Sequence, residues 1–354
     1  RTGTEFISME EEHWDINHWV RGGCVYGVMP CNGLLYATPH SCACYMLSKL
    51  NGFNALAPRT ETRRQMLGTE EDDRLVRGPA YGEIPDKDTA GKADWPTYRH
   101  DAERTGAIDT DVPAEVALSW EVDLGGALSA PVIADGKVYV VRKDAHTLHV
   151  LKEETGETLW TYTAGGRVDS PPTVYRGRVL FGCRNGWVYC LRARDGKLAW
   201  RFRAAPRDYR LMAREQVESP WPVPGSVLVR DGVLYCVAGR SMFLDGGMRL
   251  LRLDPKTGKK LSETVMDERL PDSGENLQSD IMRHNMPVAL PDVLSSDGRH
   301  VYMRIQKFTM DGKRLDVGPH SPDNTREAAK QESEYTHLFS AIGFLDDTWW
   351  HRGY

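Results

Sequence analysis

Trp120, Trp160 and Trp200 stand forty residues apart, and the last two close the matching turns "TGETLW" and "DGKLAW". Around them the chain repeats itself. Residues 129–163 and 170–203 each open on Ser-x-Pro and run into an apolar strand. Each then turns at "ADG" or "YRG", forms a second strand ("KVYVV", "RVLFG") and a third ("LHVLKE", "WVYCLRA"), and ends in a Gly turn and a fourth ("ETLWTYT", "KLAWRFR"). Alternating β-branched and aromatic residues between Gly/Asp/Asn turns predict short antiparallel strands. Four such strands with a period near forty predict propeller blades, because a four-stranded sheet has two apolar faces and buries both only by stacking radially on its neighbours.

A third copy starts at Ser219-Pro220 and keeps the "TGKKL" turn, but Ser262 stands where the tryptophan should be. A weaker fourth is "VLSSDGRHVYMRIQ". A fifth lies near the start, where "NGLLY" (32–36) matches "DGKVY" (135–139) and "DGVLY" (231–235). The expected fold is all-β: a β-propeller of four-stranded antiparallel blades with irregular insertions, as an incomplete ring or a truncated chain. Residues 1–58 read as N-terminal strands forming one blade with a cysteine cluster. Residues 59–93, rich in charge and poor in large apolar side chains, read as a linker or disordered insertion. Residues 94–354 read as blades with loop insertions at 267–287 and 316–337, the second containing a short helix at "NTREAAKQESE". Function tends to sit in such insertions on a rigid scaffold.

Each tryptophan is read as a staple across the seam between two sheets, its ring burying roughly 150–250 Å². Gly156, Gly196 and Gly258 then supply the positive φ of the tight turns. The net charge of −5 gives no reason to expect nucleic acid, which would call for a clustered basic face. No run of eighteen apolar residues predicts a membrane span. The first residue is not Met and both ends break off inside strand-like sequence, so the chain reads as a piece of a longer protein. Cys24, Cys31, Cys42 and Cys44 crowd one short window and are disulfide candidates in a periplasmic or extracellular protein; buried free thiols are the alternative. The spacing "CAC" fits no zinc site, and no metal is expected.

The segments "VLKEETGETLWTY", "CLRARDGKLAWRF" and "LRLDPKTGKKL" resemble the tryptophan-docking repeat of quinoprotein-type β-propellers, whose turns have the form D-x-x-T-G-K-x-x-W. "DWPTYRHDAERTG" (94–106) resembles the segment that leads into such propellers. The resemblance is to the pyrroloquinoline-quinone-like repeat family. That family holds quinone-dependent alcohol dehydrogenases and non-catalytic scaffolds such as the outer-membrane assembly lipoprotein. For the dehydrogenases it implies a vicinal Cys-Cys disulfide against the quinone and Ca²⁺ held by carboxylate and amide oxygens. This chain has no adjacent cysteines, and no acidic residue matches those positions by motif.

The expectation is therefore a non-catalytic scaffold or binding module of an extracytoplasmic protein, without a cofactor, binding a partner protein or an acidic glycan through one rim. A quinone-dependent dehydrogenase with pyrroloquinoline quinone and Ca²⁺, or a lyase or hydrolase of polyanionic glycans, is the alternative, its site completed by segments beyond this chain. The glycan reading rests on His40, Arg142, Arg184, Arg240 and Arg304, which follow the second strand of successive blades and share one face as a basic collar. His284 and His351 are its candidate proton carriers. Trp349 and Trp350 read as one seam residue and one sugar platform, or as core of a further blade. Contact with the rest of its own propeller is a further expectation. The break at Ser262, leading into 267–287, is where function is expected first.

Overall fold

The computed structural model describes residues 3–315 except 24, 41–47, 51, 59, 61, 63–64, 66–72, 88–90, 92, 214, 280–287 and 305. In chain order, β1 (Thr4–Ile7) and β2 (Trp14–Asn17) form a hairpin. β3 (Met29–Cys31), β4 (Leu34–Ala37) and β5 (Asn54–Leu56) form an N-terminal sheet, and β6 (Leu75–Arg77) follows. Blade 1 is β7 (Val132–Ala134), β8 (Lys137–Arg142), β9 (Thr147–Lys152) and β10 (Thr158–Thr163). Blade 2 is β11 (Thr173–Tyr175), β12 (Arg178–Gly182), β13 (Trp187–Arg192) and β14 (Leu198–Arg203). A hairpin of β15 (Leu211–Ala213) and β16 (Gln216–Glu218) precedes blade 3, which is β17 (Leu228–Arg230), β18 (Val233–Ala238), β19 (Met248–Leu253) and β20 (Lys260–Met266). Blade 4 is β21 (Ser295–Ser296), β22 (His300–Met303) and β23 (Gln306–Thr309). The protein is all-β, built from the antiparallel blades of a β-propeller.

The N-terminal sheet and blades 1 to 3 open with the same turn. Asn32-Gly33, Asp135-Gly136, Arg176-Gly177 and Asp231-Gly232 all have positive φ at both residues. Two successive left-handed residues make the hairpin turn whose twist matches that of its strands. The period of two then divides each sheet between two cores. Val179 and Phe181 join Tyr139 and Val150 of blade 1, whereas Leu180 and Cys190 join Leu234 and Leu251 of blade 3. On the far side of blade 3, Tyr235, Val237 and Leu250 meet Val301, Met303 and Phe308 of blade 4, with Leu35 and Leu56 of the N-terminal sheet against the same cluster. Blade 2 is covered on both faces, and every residue of β12 and β13 is buried.

The seams are stapled. The indole N–H of Trp120 donates to the Glu153 carbonyl (2.7 Å), that of Trp160 to Ala193 (3.1 Å) and that of Trp200 to Pro255 (3.2 Å), each in the β-turn of the next blade. A methyl group on Gly156, Gly196 or Gly258 would lie 2.6, 2.5 or 2.6 Å from the docked ring. Only glycine allows the backbone to come this close, and these residues also have positive φ.

Part of the 59–93 segment departs from its reading as a solvated linker. β6 pairs with β14 as a fifth strand on the outer edge of blade 2. Buried Arg74 donates to the carbonyls of Arg203 (2.9 Å) and Ala204 (3.2 Å) and pairs with Glu263 (2.7 Å) of blade 3. Glu83 pairs with Arg192 at 2.5 Å and Asp86 with Arg178 at 3.3 Å. Arg74, Glu83 and Asp86, which helped give this segment its solvated look, are partners for charges on blades 2 and 3.

The segment 95–106 runs along the innermost strands. Trp95 bridges Ile133, the Pro96 carbonyl accepts from Val174, and the Ala102 carbonyl accepts from Ser296. It thus touches blades 1, 2 and 4. Arg104, almost fully buried, donates to Leu294 (3.0 Å), Tyr98 (2.8 Å) and Val227 (3.3 Å) carbonyls and to Thr97 Oγ1 (2.9 Å). Burial pulls its guanidinium pKa down to about 10.

Candidate functional site: the insertion face

Equivalent strands of a propeller run the same way, so the turn after each second strand lies on the same face as the long connection between blades. Three described segments lie there: the β1–β2 hairpin ahead of the N-terminal sheet, the β15–β16 hairpin between blades 2 and 3, and residues 267–279 between blades 3 and 4. On this face blades 1 and 2 are tied by a chain of charges. Asp144 pairs with Arg167 (3.1 Å), Arg167 with Asp169 (2.7 Å), Asp169 with Arg184, and Arg184 with Glu218 (3.0 Å). Gln216 adds a hydrogen bond with the His146 ring (2.7 Å). Glu218 is 1% exposed, and its Oε1 has no hydrogen-bond partner among the described residues.

The β15–β16 hairpin is therefore anchored on its inner side. Gln216 reaches blade 1 and Glu218 reaches blade 2. Its outer side carries the cross-strand pair Met212 and Val217, both exposed. Alternation along each strand sends one set of side chains to the scaffold and the other to solvent. A buried ion pair is costly to break from one side, because the partner is left as an uncompensated charge. This favours a hairpin held in one position.

The five residues read as a basic collar follow the second strands of their sheets, but they do not present free cations together. Arg184 is buried between Asp169 and Glu218. Arg240 pairs with Asp245 (3.1 Å) and donates to the Pro220 carbonyl (3.2 Å). His40 lies 3.0 Å from the Arg21 carbonyl through Nε2. Arg304 sits at positive φ and is engaged in the structure. Arg142 is exposed, close against Gly125 and Gly126. Burial, with Arg142 second, pulls the pKa of nearby His149 down. Nothing in this arrangement supports an acidic polysaccharide. His284, His351, Trp349, Trp350 and the insertion 316–337 lie outside the described residues.

Of the cysteine cluster, Cys31 is an exposed free thiol; Cys24, Cys42 and Cys44 lie outside the described residues. Cys183, at the head of the insertion-face loop of blade 2, is buried, and burial pushes its thiol up to about 12. It is no nucleophile at neutral pH.

Asp169 and Glu218 were not singled out from the sequence, yet a signal was there. "VDSP" (168–171) and "VESP" (217–220) place an acid directly before the Ser-Pro of two successive blades.

Among the described residues the donor set implied for quinone and Ca²⁺ does not assemble. Among the described residues no group of three or more His, Cys, Asp or Glu side chains could hold a metal ion. Asp144, Asp169 and Glu218 are instead paired with Arg167 and Arg184. Among the described residues, no helix is long and apolar enough to cross a membrane.

With stapled blades and their insertion face described, comparison places the protein among known ones. Residues 111–285 match the family described as Outer membrane protein assembly factor BamB. These residues carry the pyrroloquinoline-quinone-like β-propeller repeat. It is 28% identical to 1-butanol dehydrogenase (cytochrome c) of Thauera butanivorans, over 31% of this chain and 19% of that one. It is 28% identical to the assembly factor BamB of Yersinia pestis, over 34% of this chain and 31% of that one. It is 25% identical to the dehydrogenase subunit of a quinone alcohol dehydrogenase of Gluconobacter oxydans, over 42% of this chain and 23% of that one. The chain spans a fifth to a third of the length of these relatives.

Proposed function

We propose that this propeller is a binding scaffold of the periplasm and that its insertion face docks a partner protein. The observation behind this reading is the β15–β16 hairpin, fixed from below by Gln216 and Glu218 and turning Met212 and Val217 outward. A preorganised loop loses little freedom on binding, so its apolar contacts go into affinity. The likeness to an assembly factor agrees with a protein partner. The test is a photo-crosslinking residue placed at Met212, with a control at Asp231 on the opposite face. Discrete protein adducts from Met212 alone support the reading; equal or absent adducts at both positions refute it.

The two dehydrogenase relatives favour a second reading, a quinone-dependent dehydrogenase. Against it stands the donor set on the insertion face. Reconstitution with the quinone and Ca²⁺, followed by absorbance and dye reduction with alcohols, decides it.

A further inference from the structure

The β1–β2 hairpin is a second projection from the insertion face, and its chemistry is distinct. Its root is built into the scaffold. Thr4 donates to the Val20 carbonyl through both N–H (2.8 Å) and Oγ1 (2.9 Å), and the His18 N–H donates to Gln278 Oε1 (2.8 Å). Trp19 is buried and stacks on Phe243 of blade 3 with ring centroids 5.3 Å apart. Beyond this root the side chains face water. Ile7 and Trp14 are a cross-strand pair, 65% and 57% exposed, Phe6 is 50% exposed, and Met9 at the tip is 91% exposed.

The same hairpin is strongly acidic. Glu5, Glu10, Glu11, Glu12 and Asp15 lie on it, and no Lys or Arg occurs between Gly3 and Val20. Glu10, Glu11 and Glu12 are exposed in the turn and form no ion pair among the described residues. A two-stranded hairpin is marginal by itself and presents unpaired edges. Exposed aromatic and aliphatic anchors ringed by one sign of charge mark a docking surface for a segment of opposite charge.

We propose that the β1–β2 hairpin captures an extended polypeptide segment in which apolar residues alternate with Lys or Arg. Its apolar side chains cover Ile7 and Trp14, and its cations meet the Glu10–Glu12 turn. This rests on the reading of the insertion face as a protein-docking surface and names the chemistry of the partner. The acidic turn disfavours an anionic membrane as the occupant.

The test measures fluorescence anisotropy of a labelled eight-residue peptide of alternating Lys and Val, beside its Glu-Val counterpart, with this chain. The Lys-Val peptide is expected to bind and the Glu-Val peptide not. Trp14→Ser should weaken binding at least about tenfold, as expected for an aromatic anchor. The triple change Glu10→Gln, Glu11→Gln, Glu12→Gln alters only the exposed turn. It should weaken binding severalfold and flatten its salt dependence. Equal binding of the two peptides, no binding of Lys-Val, unchanged affinity in both variants, or binding to anionic phosphatidylglycerol vesicles in place of the peptide would each overturn the proposal. Adducts at Met212 that persist in any of these cases would leave the broader docking reading standing and remove this one alone.

Discussion

Arg252 lies directly across the strand pair from Ser262 and donates to the Asp311 carbonyl at 3.0 Å, in the turn of blade 4. In the preceding blades the corresponding cross-strand pairs are Val150 with Trp160 and Cys190 with Trp200, and the tryptophan reaches the next turn. Here the large residue has moved to the other strand. The Arg252 stem lies 2.9 Å from where a methyl group on Gly312 would be, as the indole rings do at Gly196 and Gly258. Tyr235 adds a hydrogen bond to the Met310 carbonyl and Thr264 one to Gly312, each at 2.7 Å. At the position of the tryptophan staple, the seam between blades 3 and 4 is therefore closed by polar groups.

This exchange predicts non-additive mutants. Arg252→Val alone should cost about 1–3 kcal/mol by removing a charged hydrogen bond and leaving a gap. Ser262→Trp alone should also destabilise, because Arg252 occupies the space the ring needs. The double variant restores the pattern of the other blades and should recover most of the loss in a urea-melt double-mutant cycle. Simple additivity would show that the two positions do not share one site.

Trp200 is fully buried under β6, whereas Trp160 is half-buried on an open edge. Trp200→Ala should therefore lose about 3–5 kcal/mol, and Trp160→Ala clearly less, in the same denaturation assay. Equal losses would mean that β6 adds nothing to the seam.

Arg184→Ala should leave buried Glu218 without its cation and Asp169 with Arg167 alone, and destabilise by about 3–5 kcal/mol. Adding Asp169→Asn and Glu218→Gln to it should restore part of that loss by removing the stranded charges. A thermal melt of the three proteins checks both steps.

Thiol accessibility should divide sharply. Cys31 should react with a thiol reagent in the native protein. Cys183, Cys190 and Cys236 are buried, and burial raises each thiol pKa, so they should react only on unfolding. Rapid native labelling at Cys183 would contradict the packing of the blade 2 loop.

Acid should loosen the turns. Burial alone would raise the Asp297 pKa, but N–H groups of His300 and Arg299 and the Tyr302 hydroxyl hold it down at about 2, below its ordinary 3.8. Asp195, hydrogen-bonded to Arg192, also sits at about 2. A depressed folded pKa gives stability that is present above the unfolded value and lost as pH falls through the folded one. Stability should therefore decline between pH about 4 and 2, and less so in Asp297→Asn, as read by urea midpoints across that range.

The repeat carried its local structure openly. Strand alternation and the paired positive-φ turns depend on residues close in sequence, and the Trp–Gly contacts on a spacing that the repeat fixes, so pattern alone determined the blades and their order. The sequence could not say what lies opposite a charge. Arg74 and Glu263 are 189 residues apart, and Arg184 and Glu218 are 34 apart. Composition therefore made 59–93 look solvated and made a row of strand-end arginines look free. Only the tertiary structure brought Arg74, Arg184 and Arg240 to carboxylates, because ion pairing depends on distance in space. The same holds at Ser262, which in sequence is a missing tryptophan and in the folded protein a place filled by Arg252 from the neighbouring strand.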